Sequence, residues 1–192
     1  MKNLNRERGK RSTSAGEFLA ELESFSEHLH STIAIKRSGG GILVPALVAA
    51  RQGFMVTATD YEEAALEGVR FNAERNGLGG RIDGRILDWR SPPEQLGPFD
   101  RLVAADVLYE QHHAAALAAV IDLLLAPCGL ALVADPGRLT AKAFPPACRG
   151  RGLDVETQPA RRPHGATGGP EVVVYRVTRS ATPPVASREP RR

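Results

Sequence analysis

Apolar residues recur along this chain in two alternating rhythms. Phe18, Leu19, Leu22, Phe25 and Leu29 fall on one helical stripe, and Ser14-Ala15-Gly16-Glu17 ahead of them has the form of a capping box, so a helix is expected over residues 15–30. A short β-branched run, 32–35, follows and is broken by Gly39-Gly40-Gly41. Leu43 to Gln52 then reads as a helix with Pro45 in its first turn, where a missing N–H costs nothing. The same alternation continues. Strands are expected at 54–58, 81–87, 101–105 and 130–134. Helices are expected at 62–76, closed by Gly77, at 111–125, and at 138–150, the last disturbed by Pro145-Pro146. Val155 and then 172–177 supply late strands, and the alternation in the second of these predicts a sheet edge. Strands interleaved with helices in this way predict an α/β fold, its mostly parallel sheet covered by helices on both faces.

The 192 residues are 42% hydrophobic and 24% charged, a globular mixture that excludes collagen-like, coiled-coil and disulfide-stapled chains. The formal charge of +3 is unevenly spread. Residues 1–12 carry a net +4 and residues 178–192 a net +3, which leaves the body at −4. Residues 1–13 and 179–192 are expected to be disordered basic tails, solubilising rather than nucleic-acid-binding. The most apolar stretch, 114–134, is interrupted by Asp122, Pro127 and Gly129, so it is not a membrane span. The basic start leads into Glu17, Glu21 and Glu23 rather than an apolar segment, and Cys128 and Cys148 lie in unlike contexts. A reduced, cytoplasmic, monomeric protein is the expectation.

Gly39-Gly40-Gly41 lies between a strand and a helix, and Asp60 closes the next strand 19 positions after Gly41. That is the layout of a nucleoside-binding crevice, where glycines admit a ligand to the backbone and a carboxylate accepts from ribose hydroxyls. A dinucleotide fingerprint would need a third glycine at position 44, where Val44 stands. A ligand with a ribose and no pyrophosphate fits better. Asp106 ends an apolar strand, where a carboxylate costs several kcal/mol, on the order of an unpaired buried polar group, unless it faces a cleft. His112 and His113 begin a helix with no third ligand at metal spacing, so no metal site is expected and both should be solvated. No nucleophile elbow is present, and hydrolysis is not indicated.

Several segments together resemble the class I, seven-strand S-adenosylmethionine-dependent methyltransferases. They are Val44 to Arg51, Val56-Thr57-Ala58-Thr59-Asp60, Asn72-Ala73-Glu74-Arg75-Asn76-Gly77, Leu87-Asp88-Trp89, Phe99-Asp100, Ala104 to Glu110, and Asp135-Pro136-Gly137-Arg138. Within that class they look like the protein lysine methyltransferases that include the electron-transfer-flavoprotein β-subunit enzyme and its bacterial relatives. The resemblance covers residues 39–178 and sets residues 14–38 apart as an atypical helix and first strand. It implies a Rossmann-like, doubly wound sheet with a late antiparallel edge strand, S-adenosylmethionine as cofactor, and a protein lysine as acceptor. It also implies roles. Gly39, Gly40 and Gly41 would line the methionine part of the cofactor, Asp60 would hold the ribose, and Asp88 and Trp89 would bond and pack on the adenine. Ala105 would line the adenosyl pocket, and Asp106 and Tyr109 would face the substrate. Where the family carries an acid at the end of the first strand, this chain reads Lys36-Arg37-Ser38, a reversed charge beside the cofactor's amino end.

Overall fold

The computed structural model describes residues 31–35, 43–92, 96–160 and 172–180. The expected helix at 15–30, the glycine cluster 39–41, Arg37, the first basic tail and residues 181–192 of the second lie outside them; Arg179, expected to open a disordered tail, instead ends the last strand and bonds Leu125 O. Seven strands form one sheet: β1 (Ser31–Ile35), β2 (Met55–Asp60), β3 (Ile82–Ile86), β4 (Phe99–Ala105), β5 (Leu125–Asp135), β6 (Leu153–Pro159) and β7 (Val173–Arg179), in the order β3-β2-β1-β4-β5-β7-β6. The first five pair in parallel; β7 is antiparallel to both β5 and β6. Four helices are described: α1 (Leu43–Arg51), α2 (Glu63–Arg75), α3 (His113–Leu124) and α4 (Phe144–Arg149), the last entered through a 3-10 turn at Thr140–Ala143.

Strand register shows how the layers arise. Parallel partners share a face, and β1 aligns Val56 with Arg101 and Ala58 with Val103. Val56 and Ala58 pack with Ala46, Ala49 and Ala50 of α1 and Val69 and Ala73 of α2. Leu102 and Ala104 therefore point the opposite way, where they meet Leu117, Ile121 and Leu124 of α3 and Phe144 of α4. The sheet is thus covered on both faces, as the alternation of elements required. The alanines of α1 bury almost nothing but backbone-proximal methyls, which lets that helix lie close against β2.

Two expectations need correcting. β5 begins at Leu125 rather than 130 and runs through Pro127. Its register against β4 jumps between Phe99↔Leu125 and Arg101↔Leu130, so the extra residues bulge out of the ladder and Pro127 sits where no backbone donor is needed. The second correction concerns the edge. Val173–Arg179 lies between β5 and β6, and the antiparallel edge is β6. Val174 packs on Leu130 and Leu132 on one face while Tyr175 and Val177 join the α3/α4 core on the other, so both faces of β7 are used.

Candidate functional site

The strand order reverses direction on either side of β1 and β4, and the carboxyl ends of β2, β3, β4 and β5 open beside this switch point. Asp60, the last residue of β2, is fully buried. Its Oδ1 accepts a hydrogen bond from the Glu62 backbone N–H at 3.0 Å, and its own carbonyl accepts from the Leu87 N–H at 2.9 Å. The carboxylate therefore both shapes the entry to α2 and is held at the sheet end. Tyr61 follows it at the surface and donates to Glu62 Oε1 at 2.7 Å, a bond that raises its phenol above the ordinary range.

At the end of β3 the two expected adenine-side residues part company. Asp88 accepts from the Arg90 backbone N–H at 3.0 Å and forms an exposed, two-pronged pair with the Arg90 guanidinium, closest at 2.6 Å. Trp89 is 5% exposed and belongs to the core cluster under α3, edge-on to the His113 ring at 5.9 Å. It is a core residue here, without an open ring face for stacking. Its buried indole Nε1 has no hydrogen-bond partner among the described residues.

β4 ends with Ala105, half-buried, and then Asp106, which is exposed and has φ 60°. No other non-glycine residue among those described has positive φ. Aspartate tolerates this conformation better than most residues, and the turn swings its side chain out of the sheet while its N–H still bonds Ala134 O at 2.9 Å. The carboxylate meets Arg138 Nη1, and the same guanidinium lies 3.3 Å from Asp135 Oδ2. Asp135, fully buried, also accepts from the Arg138 N–H at 2.7 Å across a turn completed by Gly137 at φ 80°. Partial burial works against the charge on Arg138, but its bonds to Asp106 and Asp135 outweigh that and raise its pKa. One guanidinium thus ties the ends of β4 and β5 together, and two carboxylates against one cation leave the cluster negative.

Tyr109 is half-buried, its ring edge-on to His113 at 4.6 Å. His113, expected to be solvated, is fully buried: Nδ1 bonds Val107 O at 3.0 Å, and the ring stands between Trp89 and Tyr109. His112 is exposed as expected, but Glu110 supplies the third donor that the spacing did not reveal; one ligand atom from each of Glu110, His112 and His113 lies within 4.8 Å of the others. Sequence reasoning also missed Arg138 and Asp135 as parts of the site. Their signal was the strand-ending Asp-Pro-Gly-Arg turn, which repeats at β5 what Asp106 does at β4.

The carboxyl end of the sheet thus carries Asp60 on β2 and, across β1, Ala105 and Asp106 at the end of β4 and Asp135 on β5, with Trp89 and Tyr109 linked through His113. A parallel sheet in this order, with carboxylates at its switch point, is the class I methyltransferase fold. The CcbJ methyltransferase of Streptomyces caelestis superimposes with a TM-score of 0.66 at 13% identity, covering 88% of this chain and 90% of that one. TrmN of Thermus thermophilus gives 0.64 at 22% identity, over 85% of this chain and 47% of that one. The glycopeptide N-methyltransferase MtfA, in complex with sinefungin, gives 0.65 at 13% identity, over 86% and 93%. The chain belongs to the lysine methyltransferase family, whose model matches residues 18–142. That match takes in part of the segment ahead of Gly39 that the motifs set apart. The protein-lysine N-methyltransferase rrg1 of Schizosaccharomyces pombe is 27% identical over 133 residues, 63% of this chain. The chain spans 44% of that relative's length.

The residues present fit the cofactor that the fold implies in one respect that matters chemically. Ribose hydroxyls are donors, and Asp60 offers a buried, rigid acceptor at the strand end where such a ligand enters.

Proposed function

We propose that this protein is an S-adenosylmethionine-dependent methyltransferase acting on a protein lysine. The observation that carries the reading is the pair of strand-end carboxylates, Asp60 buried at β2 and Asp106 exposed at β4, on either side of the switch point. Asp60 would hold the ribose and Ala105 would leave room for the adenosyl group; Asp88 reaches an adenine amine only by exchanging its bond to Arg90. When bound, the cofactor supplies an electrophilic methyl carbon. The remaining work is positioning. Asp106 orients the acceptor amine and offsets the positive charge that grows on its nitrogen, and the Tyr109 ring gives that cation an apolar, electron-rich wall. Arg138 fixes the direction of the Asp106 carboxylate without cancelling the cluster's negative charge, because Asp135 shares the same guanidinium. An acidic site suits a basic side chain. The negative body of the chain and the name of the yeast relative support a protein rather than a nucleic-acid acceptor.

Calorimetric titration with S-adenosylmethionine tests the first half. Binding is expected, and Asp60→Ala should weaken it by about 10- to 100-fold, the worth of a charge-assisted hydrogen bond of about 1.5–3 kcal/mol. No binding by the intact chain would refute it. Transfer of labelled methyl groups to lysine in a protein mixture tests the second half. A second reading, an interaction module that keeps the fold without turnover, draws on Lys36-Arg37-Ser38 and on the engagement of Asp106 by Arg138. Cofactor binding without any transfer would favour it.

A further inference from the structure

We propose that Glu110, His112 and His113 form a binding site for a divalent late transition metal of the zinc type, beside the candidate active site. The Glu110 carboxylate divides its two oxygens between the two imidazoles: Oε2 lies 3.4 Å from His112 Nδ1 and Oε1 lies 3.9 Å from His113 Nε2. Nitrogen and oxygen ligands about 2.1 Å from a tetrahedral zinc stand about 3.4 Å from one another. One of these two oxygen–nitrogen separations already has that value, the other is longer, and the three ligand atoms all lie within 4.8 Å of one another. His113 is built as metal-ligating histidines are. Its Nδ1 faces a carbonyl oxygen, Val107 O, which can only accept, so Nδ1 carries a proton and Nε2 is the nitrogen turned toward Glu110. Packing between Trp89 and Tyr109 fixes the plane of that ring. Glu110 supplies the compensating negative charge. Two nitrogens and one carboxylate leave the remaining positions of the ion to water.

The site lies next to Tyr109 in sequence and against it in space through His113, so occupancy would stiffen the substrate-side tyrosine. The inference does not depend on the methyltransferase reading.

The test uses the full chain freed of metal by chelator. Titration with Zn2+ is expected to give one site per chain, and Glu110→Gln and His112→Ala, both at exposed positions, should each weaken it at least tenfold. Trp89 is the chain's single tryptophan, and its ring is 5.9 Å from the His113 ring. Co2+ should therefore quench its fluorescence and Zn2+ should reverse the quenching, with both effects lost in His112→Ala. Substitutions of the other candidate ligands, His28, His30 and His164 to Ala and Cys128 to Ser, should leave the titration unchanged. Absence of Zn2+ binding would overturn the proposal. So would binding that survives Glu110→Gln and His112→Ala, or binding that disappears with the other histidines or the cysteine.

Discussion

Asp106 is the residue whose backbone departs most from its strand. A carboxylate ending an apolar strand had no structural excuse, and its left-handed backbone conformation now gives the reason: the turn re-aims the side chain from the sheet toward Arg138. Asp106→Asn keeps the shape but removes the charge and with it the ion pair to Arg138; on the role proposed for Asp106, methyl transfer is expected to fall at least tenfold while cofactor affinity, read by calorimetry, stays within about threefold. His113 was not legible in the same way. Nothing in a His-His pair tells which ring turns inward; the outcome depends on the Val107 carbonyl, which only the folded turn delivers to Nδ1. Trp89 divides the two cases. Its position after Asp88 pointed to a ligand, but the α3 side chains that bury it come from a different part of the chain. Because its indole N–H is buried and unsatisfied among the described residues, Trp89→Phe should cost under about 2 kcal/mol in urea unfolding. Trp89→Ala should cost about 3–5 kcal/mol.

At the level of elements, hydrophobic rhythm revealed most of the sheet, because each strand's apolar face is local information. It failed where a partner strand decides the outcome. β5 starts five residues earlier than its apolar run because β4 supplies Phe99 as a partner for Leu125, and the bulge absorbs Pro127. Gly129 closes that bulge. A β-carbon there would lie 2.7 Å from Leu125 Cδ1 and 3.0 Å from Ala126 O, so Gly129→Ala should destabilise the protein by about 1–3 kcal/mol through overpacking, measured as a lowered denaturation midpoint. β7 misled for a related reason. Its alternation suggested one covered face, yet Val174 finds Leu130 and Leu132 across the sheet from Tyr175 and Val177. Long-range pairing, which no window of sequence contains, put it inside. Arg179 then anchors its end, donating to Leu125 O at 3.0 Å and approaching Asp122 Oδ1 at 3.1 Å.

For the molecule as a whole, the two cysteines report folding. Cys128 is exposed on the β5 bulge, whereas Cys148 is fully buried in the α3/α4 core and its thiol is pushed up to about 12 by burial. Iodoacetamide at pH 8 should therefore add one group to the native protein and two to the unfolded chain, counted by intact mass. Because the folded thiol keeps its proton to higher pH than the free one at 9.0, this group favours the native state below pH 9, and that contribution fades as the pH rises toward 12. The sheet order carries one more implication, for biosynthesis. β6 pairs with β7 alone, and β7 is the later of the two to leave the ribosome. Until residues 173–179 emerge, the outer flank of β5 presents unpaired amides and β6 has nowhere to dock. A nascent chain that has emerged through β6 but not yet through β7 is in the form most open to wrong pairing with its neighbours on the same message.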